Sequence, residues 1–294
     1  MSLNAKLSIF SLAMVSALLA SGFFYYQKIH PKPAPIEPRK EIDITIIPGW
    51  NLRQVAENWT AKGLIKSASE LYYYTGEPAC IFSRANPQAC PRPLGLESVV
   101  SAYSVLGEEI GNYEGYLFPD TYRVYADAKV DEVLDKVFAN LQTKLSDEEI
   151  KNAIADFIPP GSKKPAGLEN ILIMASLMEK EARTPKDMAM VADIFWRRLQ
   201  KNWALQSCAS VNYVTGKNDP GVSAKDKSVE SPYNTYKYPG LPPGPICNPG
   251  LNAIQATIFP QPNDYWYFMT GTDGVMRYAR TLDEHNYNVA KYLR

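Results

Sequence analysis

One stretch constrains this chain more than any other: Gly167-Leu-Glu-Asn-Ile-Leu-Ile-Met-Ala-Ser-Leu-Met-Glu-Lys-Glu-Ala-Arg-Thr184, followed at once by Pro185. At about 100° per residue around a helix, Ile171, Met174, Met178 and Ala182 make an apolar face. Glu169, Ser176 and Lys180 fall on the opposite line and are expected to be wet. Glu181 lies roughly 60° from the centre of the apolar face and Glu179 about 100° from it, so Glu181 is the carboxylate expected to point inward. Thr184, Pro185 and Asp187 have the form of an N-cap, a first-turn proline and a capping-box acid. A second helix therefore begins there, and Glu181 occupies the last turn of the first. A carboxyl among apolar neighbours holds its proton more tightly, as a general acid working near neutrality must. The dipole at a helix C-terminus pushes the same way by only ~0.3–1 kcal/mol. Taken alone, the plainer reading of this helix is an amphipathic one whose two glutamates form a solvated charged end.

Composition narrows the classes. With 294 residues and 46% hydrophobic content the chain buries a substantial core. Thirty-one basic residues balance thirty-one acidic ones, which argues against an electrostatic nucleic-acid binder. Two histidines, His30 and His285, and no Cys-x-x-Cys motif leave too few ligands for a histidine- or thiolate-bound metal site. No cofactor is expected.

Residues 7–26 carry no charge over twenty positions, enough for a helix to span a bilayer. A single-pass anchor is expected, with a cleavable leader ending at Ala20-Ser-Gly22 as the alternative. Pro31-Lys-Pro-Ala-Pro-Ile-Glu-Pro38 reads as a stiff spacer. Ile42, Ile44 and Ile46 alternate with polar residues as a strand. Leu52, Val55, Ala56 and Trp59 come next at helical spacing, and Ser67 with Glu70 suggests a capping box on a second short helix. Residues 121–125 supply a closing strand, with residues 76–113 as an insertion that carries Cys80 and Cys90. Glu114-Gly-Tyr116-Leu-Phe-Pro-Asp-Thr121 is aromatic and aperiodic, as contact surfaces are. Val130 to Leu141 make an amphipathic helix, and Ser146 is expected to cap another through Phe157. From Pro185 onward, Met188, Val191, Ile194, Phe195 and Leu199 form one helical side. Residues 205–250 look irregular yet shaped, residues 239–250 alone holding five prolines and three glycines. Residues 265–269 and 276–280 form a hairpin, and Thr281 with Glu284 opens a last helix.

Several of these motifs, in this order, resemble the MltG-type (YceG-like) endolytic lytic transglycosylases of bacterial cell walls: Glu114 to Thr121, Ala175-Ser-Leu-Met-Glu-Lys-Glu181, Leu205-Gln206-Ser207, Ser231-Pro-Tyr-Asn234-Thr-Tyr236, Leu241 to Gly250, and Glu284-His-Asn286. The resemblance covers roughly residues 41–294. It implies an α+β protein: a membrane anchor and linker (1–40), a small LysM-like β-α-α-β module with an insertion (41–126), and a mixed α/β catalytic domain (127–294). It implies Glu181 as the single catalytic acid, and cleavage of the MurNAc–GlcNAc bond of peptidoglycan to leave 1,6-anhydroMurNAc ends, limiting the length of nascent glycan strands. The protein is then expected at the cytoplasmic (inner) membrane with its body outside, and peptidoglycan synthases are its implied partners.

The chain departs from the family pattern at Cys208-Ala209, where many members carry an aspartate, and at Gly274-Val-Met276, where they carry Gly-Gly-His. Gln206, Ser207, Tyr213, Asn234 and Tyr236 in the shaped segment, with Glu114 and Tyr116 before it, are the candidate sugar contacts. Each also reads as scaffold. In an oxidising compartment the cysteines are expected to pair as Cys80–Cys90 and Cys208–Cys247. Two other functions stay open. A hydrolytic muramidase needs a second carboxylate, for which Asp187, Glu114 or Glu230 stand as candidates. A non-catalytic peptidoglycan-binding scaffold needs none.

Overall fold

The computed structural model of the protein describes residues 14, 16, 19–30, 38–80, 90, 93, 94, 101–106, 112–217 and 221–293. Met1–Arg39 and Lys40–Arg294 are two compact units. In the first, the anchor expectation is corrected: among the described residues no helix is long and apolar enough to cross a membrane. Residues 7–13, 15, 17 and 18 of the expected span lie outside the described ones. The described residues 14, 16 and 19–29 are helical. The single-pass placement at the inner membrane, with the body outside, is therefore withdrawn.

The second unit mixes helix and strand. It opens with β1 (Glu41–Thr45), α1 (Leu52–Ala61), α2 (Ala68–Thr75) and β2 (Thr121–Tyr125). The strands pair antiparallel, Ile44 opposite Tyr122, so Ile44 and Val124 face the core. Asn51 and Gln54 form a capping box on α1, and Leu52, Val55, Ala56 and Trp59 are its buried face. The box expected at Ser67 is absent. Glu70 instead accepts from the Lys66 N–H at 3.2 Å, while the Ser67 and Ser69 hydroxyls bond each other. Most of the insertion lies outside the described residues.

The rest is built on helices: α3 (Val130–Leu145), α4 (Glu148–Asp156), α5 (Gly167–Glu181), α6 (Pro185–Gln200), α7 (Cys208–Thr215), α8 (Ala224–Lys227) and α9 (Leu251–Ile258). A hairpin of β3 (Tyr267–Thr270) and β4 (Met276–Ala279) comes last, covered by α10 (Leu282–Tyr292). Asp147, rather than Ser146, caps α4, because its carboxylate reaches the Ile150 N–H. α5 is not amphipathic as expected. Residues Ile171 to Met178 are all buried, since α6 and α9 pack on it and residues 246–247 cover the expected wet line at Ser176, while Glu169 and Lys180 on that line are exposed. Ser176 is fully buried there. Its hydroxyl donates to Ile173 O at 2.7 Å and accepts from the Ile246 N–H at 3.0 Å. One apolar cluster joins Ile44, Trp59 and Leu71 to Phe138, Met174, Phe195 and Ile254.

Candidate active site

α5 ends at Glu181, ahead of the Thr184-Pro185 break. Ala182 turns to extended backbone, and Thr184, which precedes a proline and is thereby held off the helical region, caps α6 through the Asp187 N–H. Glu181 therefore projects from a helix end at the junction of two clefts. The smaller, about 520 Å³, runs along Asn51, Arg53, Glu57, Asn212, Tyr213 and Lys217. The larger, about 840 Å³, runs along Arg183, Gln206, Tyr236, Tyr267 and His285. Lys180, Glu181 and Cys208 line both.

The Ser207 hydroxyl donates to Glu181 Oε1 at 2.5 Å. Burial raises the Glu181 pKa, with the Ser207 hydrogen bond and the Arg198 charge pulling against it. Ser207 is held from its other side by Thr235: the Ser207 N–H donates to Thr235 Oγ1 at 3.0 Å, and the Gln206 N–H to Thr235 O at 3.1 Å. Gln206 sits at φ 56 in the left-handed region, a conformation that a side-chain-bearing residue keeps only when its surroundings fix it.

Glu179 is not a solvated neighbour. Its Oε2 accepts from the Gly250 N–H, the N-cap of α9, at 2.9 Å, and burial raises its pKa too, opposed by that bond and by Lys180. Lys180 Nζ donates to Gly49 O at 3.2 Å, which draws the turn after β1 onto the end of α5. Asn248, fully buried, ties three segments together. Its side chain accepts from the Gly115 and Leu117 N–H groups, both at 3.0 Å, and donates to Trp50 O at 2.9 Å.

The candidate contacts separate on this map. Gln206 and Tyr236 line the larger cleft and Tyr213 the smaller. Ser207 faces Glu181 instead of open space. Asn234 is buried scaffold, its amide donating to Lys227 O and Val229 O while its Oδ1 accepts from the Tyr236 N–H. Glu114 is also buried. Both its oxygens accept from the Leu52 N–H at 3.1 Å and one from the Tyr213 hydroxyl at 3.0 Å. Desolvation pushes its pKa up to about 7 against those bonds. Tyr116 is buried edge-on to Tyr113. Of the carboxylates considered for hydrolysis, Glu114, Asp187 and Glu230 line neither cleft. Asp187 accepts from Tyr278 and Thr184, and Glu230 from Tyr238 and Lys237.

Cys80 and Cys90 form a disulfide. Cys208 and Cys247 are free, which corrects the second pairing: Cys208 lies 3.1 Å from the Tyr236 hydroxyl, whereas the Cys247 thiol is wholly buried and donates to Ser176 O at 3.3 Å. Among the described residues no three His, Cys, Asp or Glu side chains converge to hold a metal. Arg198, Thr235 and Asn248 went unread in the sequence. Arg198 carried a signal, because it stands three residues past Phe195 and four past Ile194, on the apolar side of α6.

Relatives can be recognised in sequence and in structure. The chain is 36% identical to the endolytic murein transglycosylase of Bacillus subtilis (strain 168) over 181 residues, 61% of this chain and 48% of that protein. It is 33% identical to the endolytic murein transglycosylase of Streptococcus pneumoniae serotype 2 over 186 residues, 61% of this chain and 32% of that one. The alignments thus span half or less of the relatives' length. A crystal structure of a yceG-like protein from Listeria monocytogenes superposes with a TM-score of 0.67 and 29% identity, over 83% of this chain and 75% of that one. The family model of the YceG-like proteins matches residues 17–291, which take in Glu181 and all but Leu293 of the residues lining the two clefts, and the chain belongs to that family.

Proposed function

We propose that this protein is an endolytic lytic transglycosylase of peptidoglycan, with Glu181 as its single general acid and base. The observation that carries the reading is a partly buried carboxyl that lines both of two adjoining clefts. A polymer laid through both clefts passes Glu181 with sugars on either side, which suits a cut within a strand.

Burial keeps Glu181 protonated toward neutrality, so it gives its proton to the oxygen between MurNAc and GlcNAc. The C1–O bond breaks, the GlcNAc side leaves with a free 4-hydroxyl, and positive charge develops at C1 of MurNAc. The Glu181 carboxylate then takes the proton of that sugar's own 6-hydroxyl as its oxygen bonds to C1. A 1,6-anhydro ring closes, no water is consumed, and Glu181 ends as it began. One carboxyl serves both steps, where hydrolysis requires a second to act as nucleophile or to activate water. Gln206, Tyr236 and Tyr213 are the proposed sugar contacts, and the LysM-like β1-α1-α2-β2 unit an accessory glycan contact. Cuts within strands would shorten nascent glycan.

The test is mass spectrometry of glycan strands incubated with the protein. Anhydro ends support the reading. Reducing-end MurNAc would replace the internal hydroxyl with water and call for a second carboxylate, with Glu179 and Glu57 the ones in the groove. Intact strands that nonetheless bind the protein would favour the scaffold.

A further inference from the structure

Arg198, the most deeply placed cation of the site, takes no part in the proton transfers assigned to Glu181. It is 6% exposed. Its neighbour Arg197 pairs with Asp193 at 2.8 Å, but Arg198 makes no ion pair of that kind among the described residues. Its Nη1 donates to Leu205 O at 2.9 Å and its Nε to Trp266 O at 3.1 Å, with Nη2 also donating to Trp266 O. The guanidinium lies 5.4 Å from the Trp203 ring centroid and 5.6 Å from that of Tyr267. Carbonyls and ring faces supply only partial negative charge, and a cation withdrawn from water needs more. Arg198 and Glu181 line the same larger cleft; burial lowers the Arg198 pKa, and Tyr267 and the Glu181 carboxyl oppose that.

The bond to Leu205 O matters because Leu205 opens the turn that serves the acid. Leu205, Gln206 and Ser207 form that turn, which aims the Ser207 hydroxyl at Glu181, and its middle residue is left-handed. Thr235 holds this turn through Gln206 and Ser207, and Arg198 holds it through Leu205.

We propose that Arg198 is a positioning residue for the acid: it clamps the Leu205–Ser207 turn so that Ser207 meets Glu181, and its charge compensates the carboxylate that Glu181 becomes when its proton leaves. The inference rests on Glu181 being the acid and base. Negative charge grows on Glu181 as the glycosidic bond breaks, and a cation already in place favours that state without reorganising. The other titratable groups around Glu181 are Glu179, Lys180 and Arg183 beside it, Cys208 and Tyr236, Tyr267 and His285 across the larger cleft, and Arg53, Glu57, Tyr213 and Lys217 along the smaller one. Unlike Arg53, Lys180, Arg183 and Lys217, Arg198 is held away from water.

The test has two arms. The first follows Glu181 by carbon-13 NMR of glutamate-labelled protein, its signal identified by its loss in Glu181→Gln, with no substrate present. Arg198→Gln and Ser207→Ala should each raise the titration midpoint, Arg198→Gln by ~1 pH unit, while Arg198→Lys stays nearer the unmutated value. The second measures cleavage of isolated glycan strands. Arg198→Gln should lower kcat ~10- to 100-fold, part of the range typical of acid–base catalysis, with KM changed less than ~3-fold and the alkaline limb of the rate profile moved to higher pH. A merely structural role would lower the folded fraction and leave the midpoint and the limb in place.

Midpoints unchanged in both Arg198→Gln and Ser207→Ala would overturn the proposal. If Arg198→Gln does not fold, Arg198→Lys and Ser207→Ala decide it: an Arg198→Lys midpoint displaced as far as that of Ser207→Ala removes the charge role, and an unmoved Ser207→Ala midpoint removes the clamp. If the midpoints move as stated but the unmutated protein leaves no anhydro ends, the pairing stands and the assigned reaction fails.

Discussion

Gly115 lies so close to Pro245 that a Cβ on the glycine would stand 2.5 Å from the Pro245 Cβ. Its φ of +85 adds a second objection to any side chain there. This contact presses the segment after Glu114 against the proline-rich loop that also covers α5. Gly115→Ala should therefore destabilise the fold by ~2–4 kcal/mol, combining backbone strain with overpacking. Urea unfolding of the variant against the parent checks it, and a loss below about 1 kcal/mol would mean that Pro245 yields freely.

Glu181→Gln keeps the size of the side chain and its place beside Ser207 but cannot exchange a proton. Its rate of anhydro-end release should fall by ~10²–10⁴-fold with the circular dichroism spectrum unchanged. Glu179→Gln retains an oxygen that accepts from the Gly250 N–H and should lose less than about tenfold, since it only helps hold α9 against α5. Equal losses at the two positions would remove the distinction between them.

Glu114 sets a pH dependence of stability. Its folded pKa is about 7 against an ordinary value of 4.5, so between those values the folded protein holds a proton that the unfolded chain releases. Stability from this group is then full below about pH 4.5 and declines as pH rises toward 7, by up to ~3 kcal/mol in all. Glu179 and Glu181, also raised, act with the same sign. Glu114→Gln should flatten the fall in melting temperature between pH 5 and pH 7 relative to the parent, and an unchanged slope would assign that fall elsewhere.

Thiol chemistry distinguishes the four cysteines. A native sample should label at Cys208 alone, which is partly exposed, and at Cys247 only after denaturation. Replacing Cys80 and Cys90 with serine opens a short loop and should cost ~3 kcal/mol by the chain-entropy argument. Labelling of Cys247 in the native state would mean that the loop over Ser176 opens readily.

The sequence is most legible where a period or a cap is local. β1 and α1, the Thr184-Pro185 break, the β3–β4 hairpin and the Thr281 box are all set by near neighbours. Sequence and structure part where distant chain decides burial. Ser176 reads as wet by helical phase, yet the Ile246 N–H arrives from 70 residues away to bond it. Asn234 has the chemistry of a sugar contact but spends its amide on its own loop. α7 is hidden in the irregular-looking segment 205–250, because it is only eight residues long, too short for periodicity to stand out. Glu181 is legible for the opposite reason, since its inward phase and its place at a helix end depend only on residues 167–187.

Asn248 accepts from Gly115 and Leu117, donates to Trp50, and exchanges backbone bonds with Gly49 and Trp50. Three strangers in sequence therefore share one keystone. None of them can fray alone, because opening any one strands polar groups of the others in a dry interior. In amide exchange the Gly49, Gly115, Leu117 and Asn248 hydrogens should accordingly be lost together, as a single cooperative unit. The β1–β2 unit and the floor of the cleft would then have one common lifetime.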